Sequence, residues 1–316
     1  MSIRPEAKGF LFIGDPHLAS RVPGFRKDDY PKAILQKLRW CLDYAESEQL
    51  QPVLLGDLFH WPRDNANWLV AELIQMLMGR GLLSIVGNHD TTEKILTDDD
   101  SLSVIHAAGV IRLIDQTGSW TGTVGGKKVL LGGTMWSARI PEAVDRQDAD
   151  LVIWLTHHNV GFVDGDEGWL RPAEIPGIDI VINGHIHTPK LDVVRGCTTW
   201  MNPGNISRVQ RADAVRSARP AVLRIDLDSS DAPWKATRID VPHASFDEVF
   251  HPLQADGQPE VEGSAFIRGL EELTALRTAG GAGLMQFLHN NLNQFEPDVA
   301  AEILSLAQEV CDDDTN

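Results

Sequence analysis

The chain has 316 residues, of which 43% are hydrophobic and 23% are charged. These values fit a soluble globular protein with one large domain and an appendage. The sequence has no apolar run of the roughly 18 residues that a membrane helix needs and no signal-peptide pattern at its start, so we expect a cytoplasmic protein. Its three cysteines form no CxxC pair, which fits a reducing compartment. The net charge of −17 weakens the case for a nucleic-acid partner without excluding one.

The first part of the chain alternates strand-like and helix-like segments. Apolar runs predict strands and a spacing of three to four residues predicts helices. In chain order these are a strand over 9–14, a helix over 31–48, a strand over 52–56, a helix over 66–79 and a strand over 82–87. Strand-helix-strand repetition predicts a parallel sheet covered by helices.

Shorter strands with glycine-rich turns follow after residue 110. They are predicted over 111–114, 120–124, 128–132, 151–156, 178–182, 198–201, 221–227 and 235–241. We therefore expect one α/β domain over 1–250, a polar linker over 251–264 and a helical region over 265–316. The acidic run Asp98–Asp100 is expected to be a solvated turn.

Five short polar motifs each come directly after an apolar strand. They are GDPH at 14–17, GDLFH at 56–60, GNHD at 87–90, THHN at 156–159 and GHIH at 184–187. In open α/β sheets, ligands collect outside the carboxyl ends of the strands, so these motifs are expected to converge on one site. Each motif alone is weak evidence, but their joint position indicates a functional site.

The motifs supply carboxylate, imidazole and amide ligands without a thiolate. Such a set suits Mn, Fe or Zn rather than a cysteine-bound structural zinc. Seven candidate ligands suit two ions, and Asp57 is the natural bridging carboxylate. The candidates are Asp15, His17, Asp57, Asn88, His157, His185 and His187. Because neighbours on a strand point to opposite sides, only one of His157 and His158 is expected to bind metal.

The five motifs, in this order, resemble the calcineurin-like metallophosphoesterase superfamily over roughly residues 9–205. The resemblance implies an α/β fold, a four-layer α/β/β/α sandwich, here with a small C-terminal helical region. It also implies a metal-dependent hydrolase with two divalent ions. Mn²⁺ is the expected ion, and Fe, Zn or Mg are the alternatives. The family pattern favours His157 over His158. It assigns His89 as the general acid, oriented by Asp90.

The GDLFH motif and the following Trp61 resemble the SbcD-type DNA repair nuclease branch of that superfamily. There a second histidine three residues after the bridging aspartate positions the DNA phosphate, a place that His60 fills here. Arg208, Arg211, Arg216 and Arg219 form a basic cluster that either is a solvated loop or contacts DNA phosphates. A base could stack on Trp61.

The resemblance implies a DNA exonuclease or endonuclease, with a nucleotide or small-molecule phosphodiesterase or pyrophosphatase as the alternative. DNA is the expected partner, and no membrane is expected. Binding to an SbcC-like ATPase partner and formation of a homodimer are both open possibilities. The apolar faces predicted within 265–316 fit either packing on the core or binding of a partner protein.

Overall fold

The computed structural model describes residues 7–23, 26–163, 166, 168–209, 216–227 and 232–251. These residues all belong to one unit that spans Met1–His251. The predicted helical region over 265–316, and all but the first residue of the linker over 251–264, lie outside the described residues and stay predictions. None of the helices in the described ranges combines the length and apolarity needed to cross a bilayer.

The first sheet has six strands in the order β12-β11-β1-β2-β3-β4. Strands β1 to β4 run parallel, whereas β11 pairs antiparallel with β1 and β12 pairs antiparallel with β11. Their bounds are β1 Gly9–Ile13, β2 Leu50–Leu54, β3 Leu82–Ser84, β4 Ile111–Leu113, β11 Ala221–Asp226 and β12 Lys235–Asp240. The carboxyl ends of β1, β2 and β3 therefore meet at one edge.

The second sheet has six strands in the order β5-β6-β7-β8-β10-β9. The four central strands are parallel and the two edge strands are antiparallel to their neighbours. Their bounds are β5 Trp120–Val124, β6 Lys127–Thr134, β7 Leu151–Thr156, β8 Ile180–Asn183, β9 Val193–Arg195 and β10 Thr198–Met201. Two polar motifs follow β7 and β8, at the carboxyl ends of the central strands.

Helices cover the outer face of the first sheet. They are α1 Tyr30–Ser47, α2 Asn67–Leu77 and α3 Ser101–Ala107, with two single-turn helices elsewhere, α4 Ile114–Thr117 and α5 Phe246–Val249. Alternate residues of β1 point to opposite faces, so Leu11 and Ile13 pack with Leu38 of α1 in one buried cluster. This cluster fixes the first sheet against its helices.

Phe10 and Phe12, on the other face of β1, pack with Ile153 and Ile182 in a second cluster between the two sheets. The two mixed sheets with flanking helices confirm the predicted α/β sandwich. The fourth layer differs from a helical one, because the described residues that cover the outer face of the second sheet, including Phe162 and Ile175, lie outside regular elements.

The strands and helices predicted before residue 250 all occur, with their ends shifted by a few residues. Helices α3, α4 and α5 and strand β9 were not predicted. The expectation of a solvated Asp98–Asp100 turn is wrong for Asp100, which is buried. Its carboxylate accepts hydrogen bonds from Thr92, Thr97 and Arg63 and so anchors the segment before α3.

Candidate metal centre

All five polar motifs lie at carboxyl ends of strands, three on the first sheet and two on the second. The sequence order of these motifs reflects the topology: GDPH follows β1, GDLFH follows β2, GNHD follows β3, THHN ends β7 and GHIH follows β8. The structure brings all seven predicted ligands into two adjoining clusters.

Several predicted ligands have a left-handed backbone. Asp15, His17, Asp57 and His185 have φ values of 36°, 48°, 50° and 66°. Such conformations cost free energy for residues other than glycine and persist where surrounding structure enforces them, often at functional sites. Half of the eight non-glycine residues with positive φ in the described residues are thus predicted ligands.

Asp15, His17 and His187 form the first cluster. The Nε2 atoms of His17 and His187 are 3.0 Å apart, and His187 Nε2 lies 3.7 Å from Asp15 Oδ2. Asp57 Oδ2 lies 3.7 Å from His17 Nε2, so Asp57 reaches this cluster as well.

Asp57, His157 and His185 form the second cluster, together with the amide oxygen of Asn88. His157 Nε2 is 3.1 Å from Asp57 Oδ2 and 3.1 Å from Asn88 Oδ1, while His185 Nδ1 is 2.9 Å from the same amide oxygen. Because Asp57 contacts both clusters, its place agrees with a bridging carboxylate.

The neighbours His157 and His158 point in different directions. His157 Nδ1 donates to the carbonyl of Leu55 at 2.7 Å, which leaves Nε2 facing Asp57. A metal-binding histidine usually has its second nitrogen fixed by such a carbonyl. The Nε2 atom of His158 instead donates to the carbonyl of Ala138 at 2.8 Å. This geometry favours His157 as the ligand.

A row of imidazoles continues from His17 to His89 and His60. The ring centroids of His17 and His89 are 4.7 Å apart, and those of His60 and His89 are 5.4 Å apart in a stacked arrangement. The His60 ring also meets Trp61 edge to face at 4.3 Å. Burial lowers the pKa of His60 to about 3, so this ring is neutral near pH 7.

The predicted orientation of the His89 ring by Asp90 needs a correction. His89 Nδ1 donates to the carbonyl of His60 at 2.8 Å. The Asp90 carboxylate accepts the backbone N–H groups of Phe59 and Gly87, at 3.2 and 3.0 Å. Asp90 therefore joins the second and third motif loops through the backbone, and in the described structure the ring is oriented by a carbonyl.

The donor set fits divalent cations. Both carboxylate oxygens of Asp15 and Oδ2 of Asp57 are buried without a hydrogen-bond partner among the described residues, an arrangement that is costly unless a cation compensates it. Burial raises the pKa of Asp15 to about 8. Burial alone would lower the pKa of His157, but the Asp57 carboxylate outweighs it and raises that pKa. The buried carboxylates thus call for positive charge.

Three positioning residues were missed from the sequence. The amide oxygen of Asn183 accepts from Thr156 and from the backbone of His158, which ties the fourth motif to the fifth. Tyr30 donates its hydroxyl to the carbonyl of His17, and Ser207 donates to that of Asp15. Only Asn183 had a usable signal, as a polar residue closing an apolar strand directly before GHIH.

The predicted basic cluster does not behave as one surface. Arg208 is buried, whereas Arg216 pairs with Asp247 and Arg219 pairs with Asp240. Arg211 lies outside the described residues. The solvated-loop interpretation is therefore wrong for Arg208.

Two sheets that deliver carboxylate, amide and imidazole donors to one edge define a metal-dependent hydrolase fold and a binuclear site for divalent metals. The family model described as calcineurin-like phosphoesterase matches residues 9–189. The chain belongs to this family.

A comparison with curated proteins finds no match. Solved structures of similar fold include a hypothetical protein from Thermus thermophilus, with 15% identity, a TM-score of 0.43 and coverage of 74% of this chain and 100% of that one. An archaeal phosphodiesterase has 14% identity, a TM-score of 0.36 and coverage of 73% and 99%. The NAD nucleotidase of Haemophilus influenzae has 11% identity, a TM-score of 0.42 and coverage of 90% and 71%.

Proposed function

We propose that this chain hydrolyses phosphodiester bonds with two divalent metal ions and that its substrate is DNA. Mn²⁺ is the proposed metal. Asp15, His17 and His187 would hold the first ion and Asn88, His157 and His185 the second, with Asp57 shared. Ions bound there would supply Lewis-acid chemistry, polarising the phosphate and lowering the pKa of a water molecule.

His89 is the proposed general acid. Because its Nδ1–H donates to the His60 carbonyl at 2.8 Å, Nε2 remains available to carry a proton to the leaving oxygen. Its backbone N–H donates to Asp57 Oδ1 at 2.8 Å, which ties the acid to the shared carboxylate. The acid is thus positioned by the same residue that joins the two metal clusters.

DNA is favoured over other phosphodiesters by the group around His60. The buried Nδ1 of His60 has no partner among the described residues, and its ring contacts Trp61. Arg21 lies over the Trp61 ring at 5.3 Å from its centroid. An aromatic ring and a cation beside a phosphate site are what a single-stranded nucleic acid needs for base stacking and backbone contact. This group supports membership of the SbcD-type branch, with its DNA repair role and ATPase partner.

A nucleotide or another small phosphoester is the second candidate substrate, for a phosphodiesterase or pyrophosphatase. The net charge of −17 favours it, because an acidic surface repels a polyanion more than a small substrate.

The test is to incubate the chain with Mn²⁺ and, in parallel, with labelled single- and double-stranded DNA, cyclic nucleotides and bis-p-nitrophenyl phosphate. We expect DNA cleavage that falls about 10²- to 10⁴-fold in His89→Ala with metal content unchanged. His106→Ala, which replaces an imidazole on α3, is the matched control and should cleave like the parent. Hydrolysis of cyclic nucleotides with intact DNA would reject DNA as the substrate and support the second candidate.

A further inference from the structure

A small cavity adjoins the predicted metal centre on the side of the loop that follows β10. His187, a predicted ligand of the first ion, is one wall, and Asn205 and Arg208 supply polar walls. The cavity volume of about 10 Å³ is room for a single water-sized oxygen atom. The cavity therefore shares His187 with the predicted metal centre and is sized for one polar atom.

Two nitrogen donors at this cavity have no partner among the described residues. Asn205 Nδ2 and Arg208 Nε are both buried and unpaired. Two other polar atoms of these side chains are engaged: Asn205 Oδ1 accepts the Arg208 backbone N–H at 3.3 Å, and Arg208 Nη2 donates to the carbonyl of Ala244. Buried unpaired donors are costly, and paired donors of this kind fit an oxygen acceptor.

Basic side chains also contact the loop that carries Asn205 and Arg208. Arg26 donates to the carbonyls of Ser207 and Arg208, and Lys37 donates to that of Ile206. Asp28 pairs with Arg26 at 2.6 Å. In the described residues this leaves two neighbouring guanidinium groups, Arg26 and Arg208, of which Arg26 is paired with the carboxylate of Asp28.

Arg26 and Lys37 have a structural role in supporting the loop, because their side-chain nitrogens donate to loop carbonyls. It does not account for Arg208, whose Nε stays unpaired among the described residues and whose backbone has a left-handed φ of 52°. A non-glycine residue in that conformation is costly, and its side chain is held at the wall of the cavity. An oxygen acceptor in the cavity would offer these unpaired donors a hydrogen-bond partner.

We infer that one oxygen of a second phosphate group of the substrate, beside the phosphate at the metal centre, enters this cavity and accepts from Asn205 Nδ2 and Arg208 Nε. The inference rests on the proposed function and narrows its substrate class to phosphoesters that carry another phosphate nearby. Arginine suits this task because its rigid guanidinium matches phosphate oxygens. A polynucleotide and a nucleoside diphosphate share this chemistry.

Binding is measured by titration calorimetry on the Mn²⁺-loaded His89→Ala chain, so that no ligand is consumed. Thymidine 5′-monophosphate is compared with thymidine 3′,5′-bisphosphate and with thymidine diphosphate. We expect the bisphosphate to bind about tenfold more tightly than the monophosphate, as for one added charge-assisted contact. A gain with the diphosphate alone would assign the cavity to pyrophosphate substrates.

Asn205→Asp and Arg208→Gln, each added to that chain, should abolish the gain and leave monophosphate affinity within about twofold. Asn205→Asp keeps the shape and the Oδ1 acceptor, so it decides the matter if Arg208→Gln unfolds. Arg39→Gln removes a cation from α1 and should retain the gain. Equal affinity for all three ligands in the starting chain, or an equal loss for all three in the variants, would overturn the inference. A parent chain that cleaves no phosphodiester would reject the proposed function and leave this binding result to be judged separately.

Discussion

The two sheets contribute differently to the metal centre. The first sheet supplies every carboxylate and amide ligand predicted, and its Asp15, His17 and Asp57 are buried with left-handed backbones. The second sheet supplies imidazoles, among which the His187 side chain is 20% exposed. Neither sheet holds a complete set of ligands. Metal binding is therefore expected to join the two halves of the domain, each half being one sheet with its motif loops.

The largest expected effect comes from Asp57, since it reaches both clusters. Asp57→Asn removes the shared charge, so we expect both ions to be lost and hydrolysis to fall by about 10³-fold or more. Metal content by plasma mass spectrometry and kcat/KM on bis-p-nitrophenyl phosphate measure these effects. Asp99→Asn, an exposed control, should keep both ions. Retention of both ions in Asp57→Asn would show that the halves bind metal independently.

A smaller effect is expected from the second sheet alone. His157→Ala should lose one ion and reduce metal affinity by about 10²-fold or more, because its Nε2 faces Asp57 and Asn88. His158→Ala is the matched neighbour and should keep both ions, since its ring bonds to Ala138. Metal stoichiometry after dialysis decides between them, and a reversed result would assign His158 as the ligand.

Gly87 tests how closely the first sheet packs around Asp57. A Cβ at position 87 would lie 2.1 Å from Asp57 Oδ1, although the Gly87 φ of −93° is ordinary for alanine. The same Cβ would lie 2.4 Å from the Asp57 backbone nitrogen, so Gly87→Ala must shift both the carboxylate and the backbone of Asp57. A shift of about 1 Å costs roughly 10²-fold in rate. The measurement is kcat/KM together with the thermal unfolding midpoint.

Gly79→Ala is the control for that substitution. A Cβ there meets nothing within 4 Å, but its φ of 75° is strained for alanine and costs about 1–2 kcal/mol. We expect full activity with a lower unfolding midpoint, whereas Gly87→Ala should lower both the activity and the unfolding midpoint. Full activity in Gly87→Ala would mean that Asp57 tolerates displacement.

The convergence of the motifs could be predicted from the sequence because each motif adjoins its own strand. Contacts made across the chain could not. Three hydrogen bonds join residues that are 20 to 36 positions apart in sequence. They link Asp90 to Phe59, Arg208 to Ala244 and His158 to Ala138. Helix α3 was missed because the acidic residues at its start resemble a solvated turn. The hydrogen bonds that bury Asp100 cannot be seen in the sequence.

The smallest expected effect concerns Lys37, which joins the helix layer of the first sheet to the loop that leaves the second. Its Nζ donates to the Ile206 carbonyl at 2.7 Å. Burial, then the charges of Arg208 and Arg26, lower the pKa of Lys37 from 10.5 to about 7, while Asp28 and Cys41 act in the opposite direction.

Between about pH 7 and 10.5 the unfolded chain binds this proton and the folded chain does not, so stability should rise with pH in that window. The slope contributed by one group is at most about 1.4 kcal/mol per pH unit. We expect Lys37→Met to flatten the pH dependence of the free energy of unfolding, measured with urea at several pH values across the window. Lys32→Met, at an exposed position paired with Asp29, should keep the parent slope. Identical slopes in the parent and Lys37→Met would mean that Lys37 remains charged in the fold and keeps its hydrogen bond to the Ile206 carbonyl as an ammonium group.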